Sequence, residues 1–183
     1  MKEEEYGKEV LDFWFDPKNI PFHFEKNPTF DEEIRSKFLF HWERARKGEL
    51  YHWRRRIQGR LAEIIILDQF SRNLWRNDPR SFTQDDMALV LSQEALKEED
   101  MNTLSTMEKR FLIMPWMHSE SKEIHKKALE LFEELGEPGS LYFEKAHKKI
   151  IDRFGRYPHR NKILQRKTTR EEEEFLKEPN SSF

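Results

Sequence analysis

Residues 59–73 read GRLAEIIILDQFSRN. Wound as a helix, this stretch carries apolar side chains on nearly every side, so it predicts the most buried helix of the molecule. It is too long, and too poorly alternating, to be a core strand. Its polar residues are therefore the ones that need explaining. Leu61, Ile64 and Ile65 continue along one face to Asp68, with Arg72 one turn later.

Helical spacing continues on both sides. Val10, Leu11 and Trp14 predict a short first helix, followed by a loop marked by Pro17, Pro21 and Pro28. Asp31 is the expected cap of a second helix through Ile34, Phe38, Trp42 and Ala45, stopping near Gly48. Beyond the central helix, Asn77-Asp78-Pro79 predicts a turn. Thr83 with Asp86 predicts a capping box for a helix reaching about Lys97, and Ser105 with Glu108 a better one for a helix opening at Met107. Pro115 should kink or end that helix. Ser119 is expected to open the next, with Glu120 and Glu123 at its positive end. Gly136, Pro138 and Gly139 break it. A further helix is expected from about Leu141 to Phe154, stopped by Gly155. Arg156 to Lys167 should be mostly loop, and Thr169 with Glu172 caps a short last helix before a tail (179–183) expected to fray.

No segment alternates at period two, so the expectation is an all-α chain of about seven to nine helices without a sheet. A length of 183 residues fits one helical domain (1–183, core about 5–177). Charged residues make up 37% and the mean hydropathy is -0.96, but 15 Phe, 5 Trp and 4 Tyr can sustain a core beneath a charged shell. Trp53, Trp75 and Trp116 are read as core rather than as platforms for bases. The net charge of -2 gives no general pull toward nucleic acid or anionic lipid. The longest apolar run, Ile64 to Leu67, is far too short to cross a bilayer. The N-terminal MKEEEYGKEV lacks the basic and apolar regions of a signal peptide, and there is no cysteine, which fits a cytoplasmic protein.

Polar groups where core side chains belong mark a candidate site. Met107, Phe111, Met114 and His118 form one stripe, which His118 ends. His147 shares a face with Phe143, Ala146, Ile150, Ile151 and Phe154. Asp68 and Arg72 can pair along their own helix, and either histidine can join them across helices. Such a network has two readings: it fixes helix register, since buried polar groups are normally paired, or it lines a pocket. The stretch FGRYPHRN adds Arg156, His159, Arg160 and Asn161 on a loop, where polar side chains are less needed for packing. His118, Glu120, His147, His159 and Asp68 have no fixed ligand spacing, so no metal and no cofactor is expected. Ser119 beside His118 is the one pair reminiscent of a nucleophile and its base, but neighbours on a helix point apart. The basic clusters Arg54–Arg56 with Arg60, and Arg153 to Arg170, are read as solvated faces.

Five strings occur in order: LDFWF, FDEEIRSKF, LAEIIILDQFSRNLWR, FLIMPWMHSES and IIDRFGRYPHRNKIL. Together they resemble the bacterial family called domain of unknown function 924, from about Val10 to Leu176. The resemblance implies antiparallel helix pairs stacked in a right-handed array similar to tetratricopeptide repeats, and no assigned activity. It implies polar motif positions at Asp68, Gln69, Arg72 and Asn73; at His118, Ser119 and Glu120; and at Arg156, Pro158, His159, Arg160 and Asn161. Ser71 stands where the family pattern usually has proline, and Gln165 where it usually has glycine.

Three functions follow as expectations. The favoured one is a binding module whose ligand site (Asp68, Arg72, Asn73, His118, Glu120, His147, Arg156, His159, Arg160, Asn161) takes an anionic small molecule or a peptide carboxylate. Arg72, Arg156 and Arg160 would contact the anion, with Asp68 and His147 holding them. The second is a hydrolase or lyase using His118 and Glu120, or His147, as acid and base. The third is an interaction scaffold whose polar network is purely structural.

Overall fold

The computed structural model describes residues 6–182; the charged N-terminal pentapeptide and the last residue of the tail lie outside the described residues. The chain is all-helical, with no strand among the described residues. The main elements are α1 (Lys8–Trp14), α2 (Pro28–Ala45), α3 (Ile57–Ile65), α4 (Ser71–Leu74), α5 (Asp85–Ala95), α6 (Thr106–His118), α7 (Lys122–Leu135), α8 (Pro138–Phe154) and α9 (Arg170–Phe175). Helices α5 to α8 each pack on the next in sequence, while α3 sits among α1, α5 and α6.

The central stretch is buried as expected: Leu61, Ala62 and Ile64 to Leu67 have no exposed surface. Gly59 is required where α3 begins, because a Cβ there would lie 2.1 Å from the Trp53 carbonyl oxygen. Aromatic rings from α1, α2, the centre and α6 close the core around α3. Trp14 meets Phe70 and Phe111 edge to face, with ring centroids 5.5 and 5.4 Å apart. A smaller cluster of Ile150, Ile151, Tyr157 and Phe175 joins α8 to the C-terminal segment.

Several element ends differ from expectation, each for a local reason. Pro28 takes the first position of α2, so Asn27 becomes its cap, accepting from Thr29 N and Phe30 N. Asp31 is freed to bind Arg76 and Asn73 instead. Thr83 caps nothing: its hydroxyl donates to the Arg80 carbonyl, and α5 starts at Asp85 without a side-chain cap. Pro115 does not end α6, which runs on to His118. Packing outweighs the lost hydrogen bond here, because Trp116 and Met117 are buried and the Trp116 indole donates to Ser92 Oγ at 2.9 Å. Ser119 is extended and closes α6; Ser121 is the residue that caps α7, accepting from Ile124 N. Both capping boxes at Ser105/Glu108 and Thr169/Glu172 form.

The central helix is also not uniform. Between α3 and α4, residues Ile66–Phe70 widen into a π-turn that carries Asp68 and Gln69. Such turns accommodate an extra residue and are frequent at functional sites.

Candidate functional site

The π-turn changes what Asp68 and Arg72 can reach. In a regular α-helix these two would face each other at i, i+4. Here the closest approach of Arg72 Nη1 to Asp68 Oδ1 is 3.9 Å. Arg72 turns instead to Asp85 at the start of α5, with Nη1 to Oδ1 at 2.6 Å and Nη2 to Oδ2 at 2.9 Å. Its Nη1 also donates to the carbonyls of Asp68 and Ser81.

Asp68 is thereby left for His118. His118 Nδ1 lies 2.7 Å from Asp68 Oδ1, the oxygen that Arg72 approaches, and Gln69 Nε2 donates to Oδ2 at 2.6 Å. Burial alone would raise the Asp68 pKa. His118 and Arg72 nearby, with the hydrogen bonds from His118 and Gln69, outweigh it and hold the carboxyl at about 2. Among the described residues His118 Nε2 has no partner, and 18% of the side chain stays exposed.

Arg160, from the turn after α8, completes the group. Its Nη1 donates to Asp85 Oδ2 at 3.0 Å and its Nη2 to the His118 carbonyl at 3.1 Å. Asp85 is therefore shared by two guanidiniums, and both lie over the Phe82 ring. Arg160 is 6% exposed, and its Nε is buried without a partner. Burial, with the Arg72 charge adding to it, pulls the Arg160 pKa down despite Asp85.

The other expected residues fall elsewhere. Glu120 is gripped by Arg166 (2.6 and 2.9 Å) and accepts from Tyr157 N at 2.7 Å. Arg156 is bidentate to Glu172, at 2.6 and 2.8 Å, and Asn161 bridges Glu172 and Arg166. Asn73 bonds Asp31. His147 Nδ1 lies 2.7 Å from the Phe143 carbonyl, and burial pushes its pKa down to about 3. His159 sits beside Tyr157 with a buried, unpartnered Nδ1; burial, with Arg160 next, lowers it to about 4. Two shallow surface hollows, one on α2 around Glu32 and one beside Leu11 and Glu108, contain none of these residues.

Three important groups escaped the sequence reading. Asp85 looked like an ordinary acid at a helix start. Tyr157 was quoted within its motif but not singled out, yet it is fully buried and its hydroxyl donates to the Met117 carbonyl. His125 and Glu144 are both fully buried and meet at 2.8 Å between α7 and α8. Their signal was present: His125, Ala128 and Phe132 share one face of α7, as Ser140, Glu144, His147 and Ile151 share one of α8.

The family described as bacterial protein of unknown function (DUF924) matches residues 10–180. The chain belongs to this family. A solved structure titled as a protein of unknown function, ATU0120 from Agrobacterium tumefaciens, is 30% identical to it. The likeness covers 93% of this chain and 96% of that one, with a TM-score of 0.88. No curated protein matches. Two ionic groups stand out in this chain: Arg72 and Arg160 around Asp85, and Arg156, Asn161 and Arg166 around Glu120 and Glu172. Among the described residues no helix is long and apolar enough to cross a membrane.

Proposed function

We propose that this DUF924 protein is a binding module for a small anion, a carboxylate or a phosphate group, held by Arg72 and Arg160 beside His118. The observation that carries this reading is the sharing of Asp85 by two guanidiniums while Arg160 Nε stays buried and unpartnered. A buried donor without an acceptor costs free energy, and a bound oxygen would recover it. Asp85 acts as an internal stand-in for the ligand, because guanidinium pairs recognise carboxylate and phosphate alike. The reading sets the site within a stack of helix pairs resembling tetratricopeptide repeats, in a cytoplasmic protein. The near-neutral charge argues for a metabolite or a peptide end rather than nucleic acid.

Glu120, Arg156 and Asn161 leave the ligand set in this reading, since all three are committed to internal partners. Calorimetry with inorganic phosphate, pyruvate, 2-oxoglutarate and triglycine tests it. At least one should bind, and Arg160→Ala should weaken that binding by about tenfold or more. Failure of all four to bind, or binding untouched by both Arg72→Ala and Arg160→Ala in folded protein, would sink the reading.

A further inference from the structure

Among the described residues, His118 differs from the other polar groups of its cluster in having one ring nitrogen fixed and the other left over. Its Nδ1 is engaged by Asp68, which is fully buried and is itself held by Gln69 from the side. Its Nε2 faces no protein partner, in a side chain that remains 18% exposed. With an ionised acid at Nδ1, the neutral form of the ring is the one that carries its hydrogen there and presents a lone pair at Nε2. A buried carboxylate that fixes the tautomer of a partly exposed imidazole is the usual way to orient a general base. The backbone of His118 is tied to the anion site as well, because its carbonyl accepts from Arg160. No hydroxyl hydrogen-bonds His118 among the described residues, and Ser119 Oγ accepts from Ser121 N. A proton removed at Nε2 therefore comes from the bound molecule or a water beside it rather than from a side-chain nucleophile.

We infer that His118 is a general base, positioned by Asp68, that removes a proton from carbon in an enolisable carboxylate such as a 2-oxo acid. This rests on the anion-binding reading above and assigns the chemistry of that same site. The carbon–hydrogen bond next to the oxo group breaks, and its proton passes to His118 Nε2. The electron pair moves onto the oxo oxygen as an enolate, whose charge the guanidiniums of Arg72 and Arg160 stabilise. The imidazolium then returns a proton to carbon, so the step balances without any further reactant. His118 is the catalytic residue and Asp68 a positioning residue. Glu120, the expected partner of His118, bonds Arg166 and the Tyr157 amide instead.

Deuterium wash-in provides the test. Pyruvate and 2-oxoglutarate are incubated with the protein in deuterated buffer and followed by proton NMR, while calorimetry records their binding. The wild type should exchange the hydrogens next to the oxo group faster than buffer alone. His118→Asn should abolish the excess. Asp68→Asn, which keeps the shape but reverses the hydrogen bond to the ring, should slow exchange by about a hundredfold without a comparable loss of binding. Binding of either acid without exchange, exchange that survives His118→Asn, or binding of phosphate alone would overturn the inference. Binding of triglycine alone would likewise overturn the inference; if triglycine, the acids and phosphate all fail to bind, it is the anion-binding reading that fails.

Discussion

Two ionic groups lie next to each other in this protein, built from the same residue types and arranged differently. In the first, Arg72 and Arg160 come from separate parts of the chain to one carboxylate, Asp85, and a donor is left over. In the second, Arg156 and Arg166 each have a carboxylate of their own, Glu172 and Glu120, with Asn161 linking the two. The second group is a clamp: it fastens the segment after α8 onto the turn between α6 and α7, and its charges are matched. The first is short of one acceptor. Similar arginines therefore differ according to whether their partners suffice, and of these two groups only the first has a donor to spare.

The largest expected difference between the groups is in stability. Asp85→Ala leaves Arg160 without a paired carboxylate and Arg72 with only Asp68 at 3.9 Å, and should cost about 3–5 kcal/mol in urea unfolding. Glu172→Ala should cost only about 1–2 kcal/mol, because Arg156 keeps 29% of its side chain in water and can be rehydrated. Equal losses would erase the distinction. Next in size is a pH effect. His159 has its pKa lowered from 6.5 to about 4, so below 6.5 the unfolded chain takes up a proton there that the folded chain refuses. Stability should fall as pH drops through this window, by about 1.4 kcal/mol per pH unit for this one group. His159→Asn should flatten the profile by that amount, whereas an unchanged slope would show that His159 is protonated in the fold.

The smallest effect belongs to the clamp. Gln165 adopts φ 53, left-handed backbone that favours glycine. Gln165→Gly should raise the unfolding free energy by about 0.5–1 kcal/mol, the relief of strain less the added freedom of the unfolded chain. A loss of stability would mean that the glutamine side chain contributes to the clamp.

The sequence made the helices legible because apolar spacing dominates it, from Trp14 and Val10 through the buried run at Ile64. The same spacing exposed Asp68, Arg72 and His118 as polar residues on core faces, and the structure brings these three together with Arg160, whose signal was its place on the FGRYPHRN loop. Their partners were harder to read. Asp85 carries no pattern of its own, since an acid at a helix start is ordinary until two arginines are seen to share it. The π-turn has no periodic signature either, and with it the expected Asp68–Arg72 pair stands 3.9 Å apart while Asp85 is the closer partner. Pro115 misled for a related reason: propensity spoke for a break, but the burial of Trp116 and Met117 carried the helix through.

The contact between His125 and Glu144 has a chemical consequence. Both nitrogens of the imidazole face oxygen, Glu144 Oε1 on one side and the Ser119 carbonyl on the other. Two lone pairs cannot meet across the gap to Glu144, so a proton must lie between Nδ1 and Oε1, while Nε2 also has the Tyr157 hydroxyl at 3.1 Å. Burial favours keeping that proton on the acid, raising the Glu144 pKa. The seam between α7 and α8 is thus closed by a hydrogen that bulk water does not reach while the helices stay together.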